Sequence, residues 1–184
     1  MRSVWGRHHL ILHPQTPSRS VEWVTAQVEK CDGHLFIEYH VKHAGTLLVP
    51  GFRKPMRTDF LWHSTCFEAF FADADAGNYR EFNFAPSTEW AAYSFEGYRE
   101  GMQDLLLQHD PEIAITPDAN GHFWLEVDGI DHGDSKGDLR VALSAVIEET
   151  DGTKSYWALA HPPGKPDFHH PTCFAVTLAA TEAS

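Results

Sequence analysis

The sequence lacks a long apolar run and a paired set of cysteines. Near the N-terminus the apolar run covers only residues 10–12, too short for the core of a signal peptide. No other stretch approaches the length needed to cross a bilayer. The three cysteines, Cys31, Cys66 and Cys173, are odd in number and far apart, so neither a disulfide framework nor a C-x-x-C zinc site is indicated. We therefore expect a reduced, cytoplasmic protein.

Positive charge is also scarce. The chain has 14 Lys and Arg against 26 Asp and Glu, for a formal net charge of −12. Such a field repels the phosphate backbone of a nucleic acid and disfavours an anionic membrane surface. We expect neither as a partner.

Several catalytic signatures are missing. The sequence contains no G-x-S-x-G elbow, no P-loop, no H-E-x-x-H and no G-x-G-x-x-G. These absences leave the serine-hydrolase, nucleotide-binding and zinc-protease classes without support.

Alternation of apolar and polar residues is the pattern that dominates the chain. It predicts strands over residues 34–42, 66–73, 79–85, 89–95, 122–128, 138–149, 155–161 and 173–178. Turn signals separate them at 31–33, 75–78, Asn120-Gly121 and Asp151-Gly152. Many short strands without a long amphipathic helix predict an antiparallel β-sandwich, jelly-roll or immunoglobulin-like, formed by one domain over residues 1–184. A short helix over Tyr98–His109 is the one helical candidate.

Polar chemistry is densest between residues 60 and 99. In an extended chain, Glu68, Glu81, Asn83 and Trp90 would each point away from the Phe-rich core and share one sheet face. An indole that stacks on a pyranose, with carboxylates and an amide that bind its hydroxyls, would make a sugar platform. The alternative is that Trp90 packs in a second core layer and that the carboxylates bind nearby backbone or arginines.

Three ordered segments carry a family resemblance: LWHSTCFEAFF, YREFNFAPSTEWAAYSFEGYREGM and WALAHPPGKPDFHHPTCF. With them the chain resembles the bacterial DOMON-like proteins, which are related to the family 9 carbohydrate-binding modules. The resemblance implies a β-sandwich that binds a ligand, usually a sugar or a haem, on one concave sheet. It also implies which residues bind: Trp62, Glu68, Glu81, Asn83, Trp90 and the segment from His161 to His170.

The proline-rich stretch HPPGKPDFHHPTCF, residues 161–174, interrupts regular structure because proline cannot donate to a strand ladder. Its His161, Asp167, His169 and His170 are competent metal ligands. Because His169 and His170 are adjacent, they should point to opposite sides, so at most one of them joins a given site. We expect a rigid loop that lines the ligand site, with structural packing as the alternative.

These patterns leave several functions open. The favoured one is non-catalytic binding of a carbohydrate-like small molecule. A haem or divalent-metal site is the first alternative, with Met56, Met102, His63 and the loop histidines as candidate haem ligands. The second is a glycoside-active enzyme that pairs Glu68 with Glu81 or Glu126. The third is an interaction module with an exposed aromatic face.

Overall fold

The computed structural model describes residues 3–31, 33–43, 45–73, 77–131 and 137–180. These residues form strands β1 Ser3–Leu12, β2 Val21–Cys31, β3 His34–His43, β4 Cys66–Asp73, β5 Tyr79–Phe84, β6 Trp90–Phe95, β7 Gln103–Asp104, β8 Glu112–Pro117, β9 His122–Ile130, β10 Leu139–Glu148, β11 Lys154–Ala158 and β12 Val176–Leu178. Two single-turn 3-10 helices lie at Leu61–His63 and Pro171–Cys173. No helix among the described residues is long and apolar enough to span a membrane.

The strands form two layers that share one strand. Sheet A has the order β1-β2-β3-β9-β8, and sheet B has the order β1-β11-β10-β4-β5-β6-β7, with β12 beside β10. Strand β1 joins the layers because its first part pairs with β2, whereas Ile11 and Leu12 pair with β11. All the strand pairs are antiparallel, so the predicted all-β antiparallel sandwich is confirmed.

The main core lies between the sheets. Alternate residues of β3, such as Ile37 and Tyr39, meet alternate residues of β4 and β5, such as Phe67 and Phe82. All four are fully buried. Burial of one such apolar side chain contributes roughly 1.5–3 kcal/mol relative to exposure. The alternation read from the sequence therefore assigns the faces of these strands correctly.

Sheet B also buries its outer face. Phe70, Tyr79, Tyr93 and Phe95 form a second apolar cluster there, on the side away from sheet A. The connection from β11 to β12, residues 159–175, covers this cluster and contributes Phe168, Cys173 and Phe174 to it. Because both faces are covered, the central strands β4, β5 and β10 are buried along most of their length.

Two of the predicted turns are present, whereas the predicted short helix is not. Asn120-Gly121 connects β8 to β9 and Asp151-Gly152 connects β10 to β11, as predicted. Asp32 and residues 74–76 lie outside the described residues. Residues 98–109 form no helix: positive φ angles at Arg99 (55°) and Gly101 (64°) break the helical path, and the chain then adds β7 to β6.

The prediction that Trp90 shares a sheet face with Glu68, Glu81 and Asn83 is wrong. In the β5–β6 register Trp90 lies opposite Phe84, whereas Asn83 lies opposite Ala91. Trp90 therefore shares the inward face with Phe84, and it is 4% exposed within the core between the sheets. Its side chain is on the opposite face of sheet B from Glu68 and Glu81.

We expect Trp90→Ala to destabilise the fold by roughly 3–5 kcal/mol, because it leaves a cavity between the sheets. Chemical denaturation would measure the loss. Trp124→Ala is the matched control, since Trp124 is half-buried on the outer face of sheet A and stacks on His40. Equal losses for the two variants would contradict the interior position of Trp90.

Candidate ligand-binding site

A cavity of about 380 Å³ lies between the outer face of sheet B and the connections that cover it. Its floor comes from five strands of sheet B and consists of Glu68, Glu81, Phe95, Val146 and Tyr156. Its walls come from three connections and consist of Trp62, Arg99, Met102, Pro166, Phe168 and His169. The volume falls in the range of small-molecule sites, and the lining combines aromatic rings with a few polar groups.

Two carboxyl groups lie side by side on the floor. Strands β4 and β5 pair Glu68 with Asn83 and Phe70 with Glu81, so Glu68 and Glu81 are diagonal neighbours on one face. The side-chain amide of Asn83 donates to Glu81 Oε1 at 2.8 Å. Among the described residues, no side chain or backbone group makes a hydrogen bond or ion pair with the Glu68 carboxyl, although Glu68 is only 4% exposed.

The environment opposes ionisation of both carboxyls. Burial, followed by the nearby charge of Glu81, raises the pKa of Glu68 well above its usual range. Burial raises the pKa of Glu81 to about 7, although the Asn83 hydrogen bond and the Arg99 charge act in the other direction. These shifts favour the protonated form of the carboxyls, which is both a donor and an acceptor.

His169 forms the wall next to Glu81. The Tyr79 hydroxyl lies 2.8 Å from its Nδ1 and accepts a hydrogen bond from the Arg99 backbone N–H at 3.2 Å. The Nε2 atom of His169 lies 3.7 Å from Glu81 Oε2. We assign the proton to Nε2, since that atom faces a carboxyl group. Burial and the nearby Arg99 charge lower the pKa of His169 to about 4, so the ring is neutral.

Asp167 holds the covering loop in place and does not line the cavity. Its Oδ1 accepts from Arg99 Nη2 at 2.7 Å and Nε at 3.2 Å, and its Oδ2 accepts from the Tyr98 hydroxyl. Burial alone would raise the pKa of Asp167, but the hydrogen bonds from Tyr98 and Arg99 hold it below its usual value. Asp167 and His170 line a neighbouring open cleft, so His169 and His170 do face different sites.

His161 also anchors the loop. Its Nε2 donates to the backbone carbonyl of Ile11 at 2.7 Å, which ties the start of the loop to β1. Its ring packs edge-on against His13, with centroids 4.8 Å apart. Burial lowers the pKa of His161. Its role is therefore to position the loop over sheet B.

The structure thus divides the predicted site residues into three groups. Trp62, Glu68, Glu81 and His169 meet in the cavity, and Asn83 supports Glu81 from within the same face. Asp167 and His161 fix the covering loop, and Trp90 lies on the other side of the sheet. Pro166 and Phe168 belong to the segment from His161 to His170 that the resemblance implied, whereas the sequence reasoning missed Phe95, Arg99, Val146 and Tyr156. Phe95 shares a face with Tyr93 and Glu81 and could have been found, but the others depend on long-range contacts.

Ser144 is a further residue that the sequence did not indicate. It lies directly opposite Glu68 in the β4–β10 pair. Its buried hydroxyl has no hydrogen-bond partner among the described residues. Two polar groups without protein partners are therefore adjacent on the outer face of sheet B.

The fold also shows where the candidate metal ligands, the candidate haem ligands and Glu126 lie. Among the described residues, no three His, Cys, Asp or Glu side chains are arranged to hold a metal ion. Of the haem-ligand candidates, Met102 and His169 line the cavity, whereas Met56 and His63 are exposed outside it. Glu126 pairs with Glu38 and Ala114 in sheet A, so the core separates it from the cavity and it cannot pair with Glu68 or Glu81.

Comparison with known proteins adds the fold relationship. No protein-family model and no curated protein sequence matches this chain. A crystal structure of a putative carbohydrate-binding protein from Bacteroides uniformis is similar, with a TM-score of 0.64 and 15% sequence identity. The similarity covers 95% of this chain and 85% of that chain. At this level of identity the two chains share a fold.

The raised pKa of Glu81 predicts a pH-dependent stability. A carboxyl whose folded pKa lies above its unfolded value stabilises the protein below the unfolded value, and this contribution is lost as pH rises through the folded value. The rise from 4.5 to about 7 corresponds to about 3 kcal/mol of unfolding free energy. The free energy of unfolding of the wild type should therefore fall as pH rises through about 7, and we expect Glu81→Gln to remove most of this fall. Urea denaturation from acid to mildly alkaline pH would measure it, with Glu126→Gln as control, and parallel profiles for wild type and Glu81→Gln would refute it.

We expect Asp167→Asn to loosen the covering loop with little effect on the two sheets, because it removes the charge that Arg99 binds. Hydrogen exchange should accelerate within residues 161–174. Asp104→Asn is the control, since Asp104 makes an exposed ion pair with Arg57, a type worth about 0–1 kcal/mol. Unchanged exchange in the loop of Asp167→Asn would show that the ion pair does not hold it.

Proposed function

We propose that the protein binds a carbohydrate-like small molecule in the cavity over sheet B without transforming it. The observation that carries this proposal is the lining itself, in which aromatic rings and convergent polar groups enclose about 380 Å³. A sugar ring presents an apolar face and a rim of hydroxyls, and this lining offers partners for both.

Trp62 is the ring that we assign to stacking on the sugar. It is half-buried at the cavity wall, and Phe60 and Tyr93 hold it edge-on with centroids 5.4 and 6.2 Å away. A tryptophan fixed in this way loses little conformational freedom when a ligand stacks on it. Glu68, Glu81 and His169 would bind the hydroxyls at the sugar rim.

The fold relationship supports the same proposal. The similar Bacteroides uniformis protein is described as a putative carbohydrate-binding protein. The resemblance of three segments to the DOMON-like proteins agrees with a ligand-binding sandwich, and we propose that family for this chain. The fold alone does not define a ligand, so the proposal rests on the lining of the cavity.

Calorimetric titration with mono- and oligosaccharides would test the proposal. We expect Trp62→Ala to weaken binding of any active sugar at least about tenfold, or about 1.4 kcal/mol, because the stacking surface is lost. Trp124→Ala removes a half-buried tryptophan from the outer face of sheet A and should leave the affinity unchanged. Unchanged affinity in Trp62→Ala, or a loss only in Trp124→Ala, would exclude this cavity as the site.

Glycoside hydrolysis is a second candidate, favoured by the carboxyl pair. A carboxylic acid with a raised pKa beside a second carboxyl is the arrangement that glycosidases use. A panel of aryl glycosides would test for turnover, which Glu68→Gln and Glu81→Gln should each abolish. Absence of turnover across the panel would leave binding as the function.

A further inference from the structure

The charges around the cavity do not balance. Among the described residues that line the cavity, Arg99 is the only cationic side chain, and its guanidinium is bound by Asp167. His169 is neutral, with Nδ1 next to the Tyr79 hydroxyl and a pKa of about 4 caused by burial and by Arg99. Glu68 and Glu81 therefore face the cavity without a cation of their own.

Glu68 is the less satisfied of the two carboxyls. It is 4% exposed and forms part of the cavity floor, yet none of the described groups binds its side chain. The Ser144 hydroxyl opposite it is buried and unpaired, but Ser144 is not among the residues that line the cavity. Buried polar groups without partners are rare in native proteins and call for an explanation. A ligand group that binds at Glu68 would supply one.

We propose that the ligand carries a protonated amine that lies between the Glu68 and Glu81 carboxylates, as in an amino sugar. This inference rests on the proposed function and narrows it to cationic sugars. An ammonium group has three donors and no acceptor, so it can donate to Glu68 and Glu81 together.

The aromatic lining fits the same ligand. Phe95 and Tyr156 share the floor with the two carboxyls and Trp62 forms part of the wall, and the faces of such rings attract a cation within about 6 Å. Protein pockets for ammonium ligands combine rings and carboxylates in this way. The raised pKa values agree, because the Arg99 charge offsets only part of the effect of burial on these two carboxyls, and an ammonium between them would favour their ionised forms.

The test is a calorimetric comparison of glucosamine, N-acetylglucosamine and glucose slightly below neutral pH, where the amine of glucosamine is protonated. Cyclohexylamine is a probe that has the charge and a ring but lacks the hydroxyls. We expect glucosamine to bind at least about tenfold more tightly than the two neutral sugars, as a charge-assisted contact would give.

Variants then test which residues cause the tighter binding of glucosamine. Glu68→Gln should bring the affinity for glucosamine down to that for glucose, and Glu81→Gln provides a second variant if Glu68→Gln does not fold. Glu126→Gln, on the outer face of sheet A, should keep the full preference. A preference that survives both Glu68→Gln and Glu81→Gln would overturn the proposed position of the amine.

The outcomes separate the two proposals. Equal binding of all three sugars would overturn the amine and keep carbohydrate binding. Binding of cyclohexylamine as tight as that of glucosamine, with no binding of glucose, would keep the amine and overturn carbohydrate recognition. Absence of binding by every probe would overturn both.

Discussion

The second apolar cluster, on the outer face of sheet B, is the feature on which the rest of the structure depends. Without the segment 159–175, the rings of Phe70, Tyr79 and Phe95 would lose their contacts with His169 and Phe174. The prolines of that segment cannot donate backbone hydrogen bonds, and side chains tie it to the rest of the protein: His161 binds the backbone of β1, and Asp167 binds Arg99. The cavity is the part of this interface that the covering segment does not fill.

This arrangement explains why ionisable groups can be buried here. Burial of Glu68 and Glu81 lowers the stability of the empty protein at neutral pH, because a carboxyl in an apolar setting resists ionisation. Functional sites commonly retain such a cost, since a group with a shifted pKa can bind or react as a solvated one cannot. The Asn83 amide donates a hydrogen bond to Glu81 and the neutral ring of His169 lies 3.7 Å from it, so neither group neutralises the charge of Glu81.

The faces of the strands could be predicted from the sequence because side chains alternate strictly along an extended chain. That rule placed Glu68, Glu81 and Asn83 together and put Phe67 and Phe82 on the other side. It failed at Trp90, where the face depends on which residue of β5 lies opposite. The helical candidate at Tyr98–His109 came from a different, helical spacing, and positive φ angles at Arg99 and Gly101 produce a turn there instead.

By itself, the sequence determined the all-β class, the alternation within each strand and the loop character of residues 161–170, because these follow from local backbone geometry and from proline. Only the tertiary structure decided that Trp62, Glu68, Glu81 and His169 meet and that Trp90 and Glu126 lie apart from them. It also brought in Val146 and Tyr156, whose strands join the site through pairings between distant parts of the chain. The physical reason is that a cavity depends on strand register and on the layer that covers it, and neither is encoded within a single stretch of residues.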